Sequence, residues 1–183
     1  MKKIVSLLLQ CTMLAACVVL AGCKTAPTLP PLRRVANVDL QRFMGDWYVI
    51  AHIPTFLEKG AYNAVESYQL RNDGSIATTF TFNQDAPDGP LKTYRPKGFV
   101  RNTHSNAEWG MQFVWPMQAD YVIVHLDKEY QQTIIARDQR DYVWIMARTP
   151  ELSGADYEAL TERVRNMGYQ MNLLRRVPHQ RKP

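Results

Sequence analysis

Apolar and polar residues alternate along most of this chain with a period of two. Ile76, Thr78, Phe80 and Phe82 stand against Ala77, Thr79 and Thr81, and Trp109, Met111, Phe113 and Trp115 stand against Gly110, Gln112 and Val114. Successive side chains of an extended backbone point to opposite faces, so each run reads as a strand with one buried face. Asn72-Asp73-Gly74 supplies the turn before the first run, and the Pro- and Gly-containing segment from Asp85 to Gly89 the loop after it. The pattern predicts eight strands, over 47–53, 62–71, 75–83, 91–101, 107–115, 119–127, 131–137 and 141–148, connected as a meander.

One stretch carries the helical period instead. Tyr157, Leu160, Val164 and Met167 recur on one face, Ser153 stands as N-cap with Asp156 three residues on, and Gly168 takes the C-terminal cap. So narrow an apolar stripe has to lie against something. In the last strand Tyr142, Trp144 and Met146 face one way and Val143, Ile145 and Ala147 the other, so both faces call for burial. Such a strand belongs between an interior and an outer helix. Eight antiparallel strands close into a barrel wide enough for one small ligand, and closure removes exposed edges. A two-sheet sandwich is the alternative, and it leaves the helix beside a doubly apolar strand unexplained. The predicted fold class is all-β: an eight-stranded antiparallel up-and-down barrel with one C-terminal α-helix packed outside.

The amino terminus follows neither period. Met1-Lys2-Lys3 is positive, and Ile4 to Leu20 is apolar apart from Ser6, Gln10 and Thr12, which is the form of an export signal. Leu20-Ala21-Gly22-Cys23 resembles the lipobox at which bacterial lipoproteins are acylated and cleaved. A transmembrane helix is the alternative, at the lower limit of length; the small residues, the cysteine and the Pro-rich stretch behind it favour cleavage. The expected organisation is a signal peptide over 1–22, acylated Cys23 with a tether over 23–35, the barrel domain over 36–177 and a basic tail over 178–183. Pro27, Pro30 and Pro31 bar the tether from a helix or a central strand, and about ten extended residues reach roughly 30 Å. Lys24 follows Cys23, where such lipoproteins retained in the inner membrane carry aspartate, so the expected location is the periplasmic face of the outer membrane.

Cleavage also removes Cys11 and Cys17, so no disulfide is available within the mature chain and packing alone must stabilise it. The 161 residues left of 183 suffice for one such domain. The formal charge of +5 drops to +3 with Lys2 and Lys3 gone, and the remaining bases are scattered among 17 acidic residues, which argues against nucleic acid. Arg175, Arg176, Arg181 and Lys182 form the one basic cluster, read as a solvated tail with contact to anionic lipid as the alternative.

Gly45-Asp46-Trp47-Tyr48 at the first strand, preceded by Asp39 to Met44, resembles the Gly-x-Trp-Tyr signature of the lipocalins. Asp120-Tyr121 and the run Tyr142 to Pro150 resemble that family's two other motifs, in order and at the right spacing. Ala119 stands where threonine is common, a small residue for a small one. The likeness runs over residues 36–177 and is strongest to the bacterial lipoprotein lipocalins and their animal relative apolipoprotein D. It implies a barrel closed at one end, with an apolar cavity open at the other. It also implies that Trp47 plugs the closed end with Arg148 against its ring, so that Gly45, Trp47 and Arg148 mark the fold and not the ligand site.

Strand parity gives the inward set Tyr68, Ile76, Phe80, Trp109, Met111, Phe113, Tyr142, Trp144 and Met146, joined for Tyr68, Phe80 and Trp144 by similarity to positions that touch ligand in apolipoprotein D. So aromatic and sulfur-rich a lining suits long or flat apolar molecules. The expected ligand is a long-chain fatty acid or lysophospholipid, bound, stored or carried in the service of envelope maintenance. Tyr68 and Tyr142 are expected to meet its head group at the open end. Glu66 shares the parity of Tyr68 and, if inward, is expected near the rim, where it would disfavour a free carboxylate and suit choline or ethanolamine. No Gly-x-Ser-x-Gly, His-Glu-x-x-His or Cys-x-x-Cys occurs, and His52, His104, His125 and His179 are dispersed, so neither catalytic residues nor a metal or cofactor are expected. A filled barrel acting as an envelope scaffold is the competing class, with a lipid-modifying enzyme behind it, and pairing of two copies stays open.

Overall fold

A computed structural model describes residues 29–180. Nine antiparallel strands form the wall: β1 (Gly45–Ile53), β2 (Ala61–Leu70), β3 (Ile76–Gln84), β4 (Leu91–Tyr94), β5 (Lys97–Val100), β6 (Glu108–Val114), β7 (Met117–Leu126), β8 (Gln132–Ala136) and β9 (Val143–Ala147). Sequence neighbours pair in turn, and β9 pairs back onto β1, which closes the barrel. The expected fourth strand, 91–101, comes as two pieces because Pro96 has no N–H to give a ladder. Counted as one broken strand, β4 and β5 make this a closed eight-stranded barrel. β4 pairs with Phe80 to Asn83 of β3, whereas β5 bridges β3 and β6. The wall is therefore unpaired between β4 and β6.

The doubly apolar β9 divides two cores. Tyr142, Trp144 and Met146 belong to the barrel interior with Trp47, Tyr68, Ile76 and Trp109, while Val143, Ile145 and Ala147 pack outward with Leu160 and Val164 of helix α2 (Gly154–Asn166), the short α1 being Leu40–Phe43. The Ser153 hydroxyl accepts from the Asp156 amide at 3.0 Å, and Gly168 follows the helix with φ 88°, a left-handed conformation that glycine adopts without a Cβ clash.

A bulge between Val49 and Ala51 reverses the alternation of β1. Trp47 and Val49 face in, Ile50 and Ala51 both join the outer core, and His52 turns inward. At the closed end stands α1 (Leu40–Phe43), capped by the Asp39 carboxylate on the Gln41 and Arg42 amides. Arg148 holds it there: Nη2 donates to the carbonyls of Arg42, Phe43 and Met44, and Nη1 to that of Asp46, with Cζ 3.8 Å from the centre of the Trp47 ring.

Both ends of the domain are held further than the expected boundaries. Leu32 is buried in the outer core, the Val35 amide donates to Ile123 and Arg34 pairs with Asp138, so the last residues of the expected tether pack on the barrel. Arg175 and Arg176, expected as solvated tail, form strand β10 (Arg175–Arg176), which takes the edge of β1 that β2 leaves free. Residues 178–180 stay attached through Asn63 and Val49. Among the described residues, all strand pairing and both cores fall within residues 32–177. Cys23, with the expected signal peptide and the tether as far as residue 28, lies outside the described residues.

Candidate functional site

The closed half of the barrel is solid. From Trp47 an aromatic column runs through Phe43 (ring centres 5.1 Å apart) to Trp109 (5.5 Å from Phe43), which stacks at 12° on Tyr121. Tyr68 stands edge-on to Trp109, and its hydroxyl meets that of Tyr121 at 2.5 Å. Tyr68 is thus spent in the column and does not reach the open end, where its hydroxyl was expected to meet a head group.

Above this column lies a cavity of about 200 Å³. Phe80 of β3 and Trp144 of β9 face each other with ring centres 5.0 Å apart, and Tyr142 sets its ring 5.3 Å from Trp144. Met111 and Phe113 of β6, Tyr94 of β4, Tyr121 and the loop residues Thr55 to Glu58 complete the wall. Of the nine inward residues expected from parity, Phe80, Met111, Phe113, Tyr142 and Trp144 line this space. Tyr68, Ile76, Trp109 and Met146 are interior but stand in the packed core behind it. Phe113 is half exposed at the mouth, close in sequence to Val114, Trp115 and Met117, which are 62%, 81% and 69% exposed. Phe56, 83% exposed, adds a further apolar side chain to the mouth from the β1–β2 loop.

Two buried acids face this apolar space. Glu58 is fully provided for: its carboxylate accepts from Trp144 Nε1 at 2.7 Å and Thr55 Oγ1 at 2.9 Å, with His52 Nδ1 at 3.0 Å. These contacts fix the Trp144 indole and fold the β1–β2 loop over the barrel. Glu66 is the opposite case. Only 2% exposed, it pairs through its backbone with Trp47 and Phe80, at the level where the aromatic column begins. Its Oε2 is buried with no hydrogen-bond partner among the described residues. Burial, and then the neighbouring Glu58, hold its carboxyl well above the usual range, which favours the protonated form. The rim position expected for Glu66 is therefore wrong; protonation is what lets a lone acid sit on the floor. Burial likewise pushes the Tyr68, Tyr121 and Tyr142 phenols well above their ordinary value.

The mouth carries a charge of the other sign. Arg137, just after β8, lines the cavity, gives Nη1 to Asp141 at 3.1 Å, and has a buried Nε with no partner among the described residues. Sequence reasoning missed Arg137, Glu58, Tyr94 and Tyr121 as cavity residues. Tyr121 was at hand in the Asp120-Tyr121 motif, whereas the loop residues carry no periodic signal. Among the described residues no group of three or more His, Cys, Asp or Glu is placed to hold a metal ion, and no helix is long and apolar enough to cross a membrane.

A lipocalin-like domain model matches residues 38–179. The outer membrane lipoprotein Blc of Escherichia coli K12 is 30% identical over 131 residues, which are 70% of this chain and 73% of the relative. That of Citrobacter freundii is 29% identical over 153 residues, 82% and 85% of the two chains. Rat apolipoprotein D is 31% identical over 132 residues, 67% and 66%. Among solved structures, insecticyanin from the tobacco hornworm superposes with a TM-score of 0.65 at 13% identity, over 82% of this chain and 86% of its own. Lobster apocrustacyanin A1 does so at 0.61 and 12%, over 86% and 94%. Barrel, plug and domain match agree, and the chain belongs to the lipocalin-like family.

Proposed function

We propose that this protein binds a lipophilic small molecule in the open half of its barrel and does so at the outer membrane, tethered through acylated Cys23. The observation that carries the reading is the aromatic cavity of about 200 Å³ above the solid column. It lies below the roughly 300–1,000 Å³ of ordinary small-molecule sites, so a long-chain ligand lays part of its chain inside and leaves its head at the mouth. Each methylene taken from water contributes about 0.8 kcal/mol before ordering costs, which brings a chain of moderate length to micromolar affinity. Arg137 suits the anionic head of a fatty acid or lysophospholipid. Phe80, Met111, Phe113, Tyr142 and Trp144 are the proposed contacts, with Tyr68, Ile76, Trp109 and Met146 as the rigid wall behind them.

The lining supports holding a ligand, since aromatic and aliphatic side chains make up most of the wall around the one unpartnered acid. Outer-membrane placement and a part in envelope maintenance rest on the lipobox-like Leu20 to Cys23 and on relatives that are outer membrane lipoproteins. The exposed Trp115, Met117 and Val114 favour a second reading, a scaffold that presents its rim to another molecule. Titrating the body from Lys24 onward with fatty acids of eight to sixteen carbons, followed by Trp144 emission, separates the two. Affinity that climbs with chain length supports the cavity, and a flat series moves the assignment to the scaffold.

A further inference from the structure

Taking the cavity as the ligand site, we infer that Glu66 makes its floor selective for chains whose buried end carries a hydroxyl or an amine. A plain hydrocarbon tail satisfies the walls but not the floor. It would lay a methyl group against a carboxyl whose Oε2 has no partner, and an unmade hydrogen bond in an apolar cavity has a real cost. None of the neighbours relieves it. Glu58, from the β1–β2 loop, is taken up by Trp144, Thr55 and His52; the Tyr68 and Tyr121 hydroxyls are bonded to each other. Arg137 stands at the mouth with Nη1 on Asp141, and Tyr142 adds a phenol that burial keeps neutral.

In its protonated form the Glu66 carboxyl, with Oε2 unpartnered at the cavity, offers one donor and one acceptor. A hydroxyl matches both at once. An alkylamine, already an ammonium ion in water, becomes the counter-ion as Glu66 gives up its own proton to solvent, leaving an ammonium–carboxylate pair. A second carboxylate on the floor is disfavoured, because it meets no cation there and Glu58 lies close enough to bear on Glu66 electrostatically. The polar floor and the cationic mouth together describe an amphiphile with an anion at the outer end and a donor at the inner one.

Chains of equal length test this. Decanoic acid, 10-hydroxydecanoic acid and 10-aminodecanoic acid share the head that meets Arg137 and differ only at the deep end. An apolar floor penalises a terminal hydroxyl by about 10- to 100-fold in affinity, the cost of burying it unpaired. With Glu66 present the hydroxy acid is expected to bind at least as tightly as decanoic acid. Glu66→Leu should restore a penalty of about tenfold or more, whereas Glu66→Gln should keep the hydroxy acid and lose the amino acid chain. Titrations by calorimetry, with thermal melts to confirm that each variant is folded, read all three ratios. The inference is overturned if wild-type protein binds the hydroxy acid tenfold more weakly than decanoic acid, or if Glu66→Leu leaves their ratio unchanged. The wild-type comparison needs no variant. If no probe binds at all, the cavity reading itself has failed; if decanoic acid alone binds, only the floor has been misread.

Discussion

Replacing Trp47 with alanine removes the first member of the aromatic column, and the structure sets the size of the effect. Trp47 is fully buried, so the deletion costs about 3–5 kcal/mol in lost burial and residual cavity. Arg148 loses the indole face beneath its guanidinium, at 3.8 Å, worth about 0.5–2 kcal/mol more. The bond from Trp47 Nε1 to the Phe43 carbonyl is lost too, but that oxygen keeps Arg148 Nη2 at 3.1 Å and is not left unmet. A total near 4–6 kcal/mol is a large part of the roughly 5–15 kcal/mol that holds a domain together. The melting temperature should therefore fall by about 10–20 °C and the urea midpoint by about 2 M. The cavity begins on the far side of Phe43 and Trp109, so affinity for decanoic acid, measured where the variant is still folded, should move no more than about twofold. An unchanged urea midpoint with lost affinity would show that the column is the binding site and that the plug has been misassigned.

Three further outcomes follow from the same contacts. Glu58→Ala should cost about 2–4 kcal/mol in urea titration and shift Trp144 emission, because the Trp144 indole N–H, the His52 ring and the Thr55 hydroxyl all lose their shared partner. Glu66 has a folded-state pKa raised by burial and by Glu58, so its contribution is fully present below the ordinary carboxylate value of 4.5 and is lost as pH climbs from there toward the raised one. Glu66→Gln should accordingly match wild type in melting temperature near pH 4 and exceed it near pH 7; a variant no more stable at pH 7 than wild type would contradict the neutral, unpartnered floor. Metabolic labelling with a clickable fatty acid should mark the wild-type protein and leave Cys23→Ala unmarked, since acyl chains on Cys23 are the proposed anchor.

Parity along a strand tells which face a residue takes and says nothing of its height in the barrel. For β3 and β9 the period of two survives intact, and Phe80, Tyr142 and Trp144 could be read from the sequence as interior. For β1 it fails, because the extra residue at the bulge turns His52 inward and sends Ala51 and Ile53 out, and no turn residue or glycine marks the place. Pro96 did mark the break between β4 and β5, a signal that a single strand over 91–101 passes over.

Height is where the larger consequence lies. Each residue climbs about 3.3 Å along its strand, and strands in a barrel are tilted and staggered, so the level of one residue against those facing it depends on every register around the wall. Trp109 and Tyr68 share their faces with Met111 and Glu66, yet one step in height puts the first pair in the packed column and the second at the cavity. Glu66 is the case that matters. Placed at the rim because an unpaired acid is costly to bury, it repels a fatty acid's carboxylate and asks for a cationic head; placed on the floor, it leaves the rim to Arg137 and the polarity of the site is inverted. The same acid, moved along the barrel axis without changing face, exchanges which end of the ligand is meant to enter first.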